Sequence, residues 1–431
     1  MEKTLQSQTV LELLHDKVFG DLYHAVNEDA LSWREFQSLP MPYGYTAEET
    51  WKIIAAIRRH NSHHIGLPSY AYGSEPVESW CTVGTSFASM LRDLHVRARM
   101  LDTISDETGD LHRYALTEMM ARDLAAALER DGHSLDLSVV TELVVGDRSP
   151  ATPVERLITN TAGLLYELER YVRHRISPWM LEEFSQQIDK GCSQLISAHP
   201  ARYQVSKGYA TYASRQSTEQ SLDQLCAVLG RCSMDSPDVF VIDAVFALVS
   251  LWDFAPLHKW NGLVEVVARH LVLTKIGLSS LRCVPFSEYV WRWEQTGDAY
   301  HSVDPDVGEG FDCTRWARKH LTLILEGTYE LDGLIARRFH ETKPLSDVID
   351  ACEELNARQR SVIKDLVLHP HRALRIDGYM KLHRVAYATA RQDLLDLARK
   401  GFLNQTYAGR AMVFTADCTL EARLQDRCSR G

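Results

Sequence analysis

The chain of 431 residues carries 45% apolar and 24% charged side chains, an ordinary globular mixture that excludes global disorder and gives room for two or three cores. Its formal charge of −11 argues against nucleic-acid binding over the whole surface. Nine cysteines without a CxxC pair signal neither a disulfide framework nor a structural zinc site and point to a reducing, cytoplasmic setting.

The first twenty residues mix charge throughout, so no secretory leader is expected. Residues 1–115 read as a small N-terminal subdomain of short helices. In TAEETWKIIAAIRRHN, Thr46 followed by Glu49 has the spacing of a reciprocal helix-capping pair. His60, His63 and His64 stand at i, i+3 and i+4, the spacing of helical metal ligands, but no neighbouring carboxylate completes a set. They read as surface histidines, and no metal site is expected.

Residues 116–340 have helical apolar spacing almost throughout and predict a helical stack. The most apolar run, Val239 to Trp252, contains Asp243 and is shorter than the roughly 20 residues that cross a bilayer. It reads as a buried helix, and no membrane contact is expected. Residues 201–222 break the helical spacing and suggest an extended flap or hairpin. HETKPLSDVID, with its proline, reads as a linker into a last domain at 345–420. The fold class is therefore mainly α.

The last domain differs in charge. From Asn356 to Asp417 there are eleven Lys and Arg against five Asp, the local balance of a surface that meets phosphates. The pattern gives a first helix, a short helix at 376–383, a turn, a long helix at 386–400, and two strands joined at 408–410. Leu394, Leu395 and Leu397 read as its inner side, whereas Tyr387, Thr389, Arg391 and Gln392 lie toward its start. With Arg410 in the hairpin these are the candidate DNA contacts. Lys400-Gly401 suits a helix end, a cation followed by a left-handed cap.

This stretch resembles the winged helices appended to many Fic-family proteins, whose turn and recognition helix run roughly V-S-x-x-T-A-x-R-D-L…L…K-G-L-L. Val385, Thr389, Ala390, Asp393, Leu394, Leu397, Lys400, Gly401 and Leu403 match, while Ala386 replaces the serine. Fic enzymes transfer part of a nucleotide, usually AMP, through H-x-F-x-[D/E]-G-N-G-R-x-x-R. The resemblance implies a general-base His, an acid holding magnesium, a Gly-Asn-Gly anion nest at a helix start, and arginines that neutralise the leaving diphosphate.

The similar stretch here runs from Phe254 to Val266. Pro256, Asn261 and Gly262 survive, but Ala255 stands at the base position, Lys259 at the metal-ligand position, Trp260 at the first nest glycine, and Leu263 and Val266 at the arginines. Magnesium is thus not expected. Asn261, Gly262 and Lys259 remain candidates for holding an anion or nucleotide, and His258 with Lys259 is the only candidate catalytic pair. Against this, His258 reads as an exposed loop histidine and Lys259 as a solvated cation.

The family's inhibitory helix S-S-x-I-E-G-A is similar to 125–130, which keeps Glu129 without its partner arginine. Ser287, Asp298, Tyr300, Asp312, Thr314 and Trp316 match a later family segment. Trp291, Trp293 and Trp316 with Tyr289 and Tyr300 read either as a base-binding pocket or as helix packing. Together these features imply a Fic-like protein without ordinary AMP transfer, serving as a DNA-binding regulator or adaptor and expected as a homodimer. The alternative is a repurposed pocket acting on a nucleotide or phosphorylated small molecule.

Overall fold

The computed structural model describes residues 12–28, 31, 33–69, 77–108, 110–197, 215–231, 237–254, 256–296, 311–368, 373–408 and 411–428. Helices dominate it. In chain order they are α1 (Lys17–Glu28), α2 (Trp33–Phe36), α3 (Ala47–His60), α4 (Thr85–Thr108), α5 (Asp110–Arg130), α6 (Leu137–Val145), α7 (Pro153–Tyr166), α8 (Pro178–Asp189), α9 (Arg215–Leu229), α10 (Pro237–Phe254), α11 (Asn261–Lys275), α12 (Phe286–Thr296), α13 (Thr314–Ala351), α14 (Ala357–Leu368), α15 (Ile376–His383), α16 (Tyr387–Arg399) and α17 (Leu420–Cys428). The strands are β1 (His63–Ser69), β2 (Val77–Cys81), β3 (Phe311–Asp312), β4 (Leu374–Arg375), β5 (Leu403–Ala408) and β6 (Ala411–Ala416).

Two compact units divide the chain, one holding most of residues 1–328 and the other most of 329–431. In the first, α11 is the central element. Every residue from Asn261 to Val272 is buried, and α7, α8 and α10 pack around it. Such all-round burial needs an almost wholly apolar helix. Two of its four buried polar members, Glu265 and Arg269, bond each other at 2.8 Å, and Arg269 also reaches Asp123 on α5 at 2.7 Å. A small sheet pairs β1 antiparallel with β2 and β2 parallel with β3.

In the second unit α14, α15 and α16 pack against a sheet of strand order β4-β6-β5. The β5–β6 register runs from Leu403↔Ala416 to Ala408↔Ala411. Leu366, Leu394, Leu397, Phe402 and Phe414 are among the residues that fill the core. Gly401 has φ +78°, the left-handed turn that the sequence at 400–401 suggests.

Three expectations need correction. The presumed linker is helix, because α13 continues to Ala351 with Pro344 inside it. Proline in a helix costs about 3 kcal/mol, but Leu345 and Ile349, one turn apart, are buried in the second unit's core, and that burial keeps the segment helical. The flap expected at 201–222 lies outside the described residues as far as 214, and from Arg215 the chain is helix. The three histidines share no helix: α3 ends at His60, and His63 and His64 are on β1. The Thr46–Glu49 capping box does form, each residue's backbone N–H donating to the other's side chain.

Candidate functional site

The first turn of α11 is where the sequence puts its anion nest, and the geometry there is closed. Trp260 precedes the helix with φ 61° and ψ 35°, a left-handed backbone rarely adopted by bulky residues. Its ring is fully buried, and its Nε1 donates to Asp189 Oδ1 at 2.8 Å. Its backbone N–H donates to Ser197 Oγ at 3.1 Å. Burial with a bonded indole offsets the strain of the left-handed turn.

The surviving Asn261 faces inward. Its Oδ1 accepts from Leu257 N–H and its Nδ2 donates to Leu257 C=O, both at 3.0 Å, so the amide staples the loop shut. Gly262 has a steric reason: a Cβ there would lie 2.7 Å from the Ala127 carbonyl oxygen at the end of α5. Only glycine lets the two helix ends approach so closely.

That approach brings in Asp131, just past α5. Its Oδ1 accepts from Gly262 N–H and its Oδ2 from Leu263 N–H, both at 3.0 Å. A helix start presents unpaired N–H groups and partial positive charge, and here the chain's own carboxylate takes the place an external anion would take. Asp131 is 3% exposed. Burial pushes its carboxyl up to about 7, although the amides of Gly262 and Leu263 and the charge of Arg130 pull it back down.

Lys259 donates to Asp189 Oδ1 and to Ser193 C=O, each at 3.2 Å. His258 is exposed. Leu263 and Val266 are wholly buried, and Ala255 lies outside the described residues. Glu129 accepts from Trp291 Nε1 at 3.0 Å. Trp293 meets His320 edge-on and Trp316 lies tilted against it, with ring centroids 5.2 and 3.8 Å away, and burial pushes that histidine down to about 3. These two tryptophans therefore serve packing, while Tyr300 lies outside the described residues. Among the described residues no three His, Cys, Asp or Glu side chains group as a metal site, and no helix is long and apolar enough to cross a membrane.

The second candidate surface is the outer face of α16. Tyr387, Arg391 and Gln392 are exposed and Thr389 is half-buried, while Arg410 lies outside the described residues. The inner face holds Ala390, Asp393, Leu394 and Leu397. Asp393 accepts from Arg358 Nε at 2.8 Å, Tyr379 Oη at 2.9 Å and Asn356 Nδ2 at 3.0 Å. Burial works to raise this carboxyl, but the bonds from Arg358, Asn356 and Tyr379 hold it below the usual range. The network ties α16 to α14 and α15 and fixes which face turns outward.

Among the solved structures similar to this chain is a Fic family protein from Desulfovibrio desulfuricans G20, with a TM-score of 0.42 and 12% identity over 76% of this chain and 96% of that one. No family model matches the chain, and no curated protein does.

Asp131 is the functional residue that sequence reasoning missed. A signal was present in Glu129-Arg130-Asp131-Gly132, where an acid follows a helix and so meets the negative end of its dipole. That placement costs energy unless the carboxylate is used elsewhere. The buried set Asp123, Glu265 and Arg269 was missed as well. Its spacing, Glu265 and Arg269 at i and i+4, resembles any surface ion pair, and only packing buries it.

Proposed function

We propose that this protein is a Fic-derived regulator that no longer transfers AMP and that binds DNA through a winged helix formed by α14, α15, α16 and the β5–β6 hairpin. The observation that carries the reading is Asp131. A carboxyl group bonded to both Gly262 and Leu263 N–H occupies the donors that a nucleotide phosphate would need at the helix start, and the buried Trp260 ring fills the space beside it. The missing base and arginines act in the same direction. A general base alone contributes about 10²–10⁴ in rate, and charge stabilisation of the leaving group contributes as much again.

On the DNA side the support is the exposed basic face of α16 and the local excess of positive charge in an otherwise acidic chain. The order of helix, short helix, turn, long helix and hairpin suits major-groove docking of α16 with its N-terminal residues toward the bases. A cytoplasmic homodimer is the working form proposed, which would offer two such faces to a two-fold DNA site. A repurposed nucleotide pocket would need Lys259 and the first amides of α11 free, and both have partners.

The test combines two titrations on the full chain. Calorimetry with ATP, with and without magnesium, is expected to give no binding, and labelled ATP is expected to leave no AMP on protein. Mobility shift of duplex DNA is expected at low salt, with log K falling linearly against log salt at about −0.9 per phosphate contacted. Tight ATP binding would overturn the first half, and absence of any shift at about 50 mM salt would overturn the second.

A further inference from the structure

Resting on that DNA-binding reading, the outer face of α16 carries more than charge. Ala388, Arg391 and Gln392 stand at i, i+3 and i+4, so they share one face over a single turn. All three are exposed, and the side chains of Arg391 and Gln392 bond to no other described residue. The face centres opposite Ala390 and Leu397, both fully buried. Successive residues are about 100° apart around the axis, so Arg391 and Gln392 diverge to either side of Ala388, whose methyl is small enough to let the helix approach closely between them.

The negative charges of α16 are all paired. Asp393 is turned into the core by Arg358, Tyr379 and Asn356. Asp396 is bonded by Lys400 at 2.6 Å and by Gln359 at 3.0 Å. Arg375 and Arg384 at the two ends of α15 are exposed, and Arg384 takes a left-handed turn, φ 53°, that leads into α16. A guanidinium unpaired among the described residues at the edge of a face whose acids are paired, as Arg384 is, suits a phosphate beside a groove, whereas one on its centre line suits base edges.

Each of the three central side chains has a preferred base. A guanidinium pairs bidentately with guanine O6 and N7, a glutamine amide with adenine N6 and N7, and an alanine methyl packs on a thymine methyl. From this juxtaposition we infer that α16 reads a short duplex element in which a guanine taken by Arg391 neighbours an adenine taken by Gln392. Ala388 rests against a thymine methyl on the groove floor, and Arg384 holds a phosphate. The ligand is therefore sequence-specific duplex DNA with a mixed G·C and A·T step.

The full chain, with Arg391→Ala, Gln392→Ala and Arg384→Ala variants, is selected against a random duplex library and each pool is sequenced. The wild type is expected to enrich a guanine beside an adenine. Arg391→Ala is expected to lose roughly 10-fold or more of the preference for guanine while keeping adenine, and Gln392→Ala the reverse. Arg384→Ala is expected to keep the element but to weaken all duplexes alike and make the salt slope shallower by about one contact. Binding without an enriched G–A element, or the same element selected by Arg391→Ala and Gln392→Ala, overturns the base reading and leaves DNA binding standing. No binding of any duplex at low salt removes the DNA-binding reading itself. Unchanged thermal melting of the three variants excludes misfolding as the cause of either result.

Discussion

The helices α11 and α16 begin in opposite states. Both follow a residue whose side chain gives no cap, Trp260 in one case and Ala386 in the other. At α11 the first amides are bonded to Asp131 and sealed under a buried indole, whereas at α16 the first turn carries exposed Tyr387 and Ala388. A helix start binds anions only if its donors are free. The chain thus occupies the start of α11 with its own carboxyl group and keeps the first turn of α16 at the surface.

A third helix start shows what burial adds. Glu28 accepts from Thr85 N–H at 3.0 Å and Ser86 N–H at 2.7 Å at the beginning of α4, the arrangement of Asp131 repeated. In that more open place the bond from the Ser86 amide dominates and Glu28 is held below the usual carboxylate range. At Asp131 burial dominates and the carboxyl rises to about 7. One hydrogen-bond pattern therefore gives opposite shifts, because desolvation penalises the charged form by more than two amides favour it.

The contrast can be broken in order of size. Trp260→Ala removes a fully buried ring and is expected to cost about 3–5 kcal/mol of stability, read as a lowered midpoint in urea unfolding; an unchanged midpoint would mean the ring is not part of the seal. Asp131→Ala leaves two buried N–H groups unpaired, and a loss of about 2–3 kcal/mol is expected in the same measurement.

The pH dependence follows with its sign. A folded pKa near 7 against an ordinary 3.8 means that the folded state binds more protons between those values. Asp131 therefore makes stability fall as pH rises through that window and level off above it. His320, buried neutral, works the other way at low pH. The informative quantity is thus the difference between wild type and Asp131→Asn, unfolded in urea at pH 5 and 7.5. The variant is expected to lack the fall on going to pH 7.5, and identical slopes would count against the buried acid. The smallest effect is Ala386→Ser, which restores a cap at α16 and is expected to raise the unfolding free energy by about 0.5–1 kcal/mol, seen as a slightly higher melting temperature.

Local features were legible from the chain alone. The Thr46–Glu49 cap, the boundaries of α15 and α16, and the glycine turn at 401 follow from residues within a few positions of one another. Asn261 and Gly262 were recognisable as a motif, but their roles were not. The amide could equally face a phosphate or its own loop, and the glycine's reason is a carbonyl 135 positions earlier, that of Ala127. Pro344 misled in the opposite direction, since the burial that overrides it involves Leu355, Ile363 and Leu397 from other elements.

Sequence by itself determined the helical class, the basic segment, and which residues stand at 255–266, because these depend on residue identity and short-range spacing. Tertiary structure alone decided whether the remaining helix start was open. That depended on Asp131 and Asp189 arriving from elsewhere in the chain to bond Gly262, Leu263 and Trp260, and on burial, which no residue carries by itself. The withdrawal of Asp393 from the outer face of α16 has the same origin. A carboxylate is exposed or hidden by its partners, and those partners come together only when the chain folds.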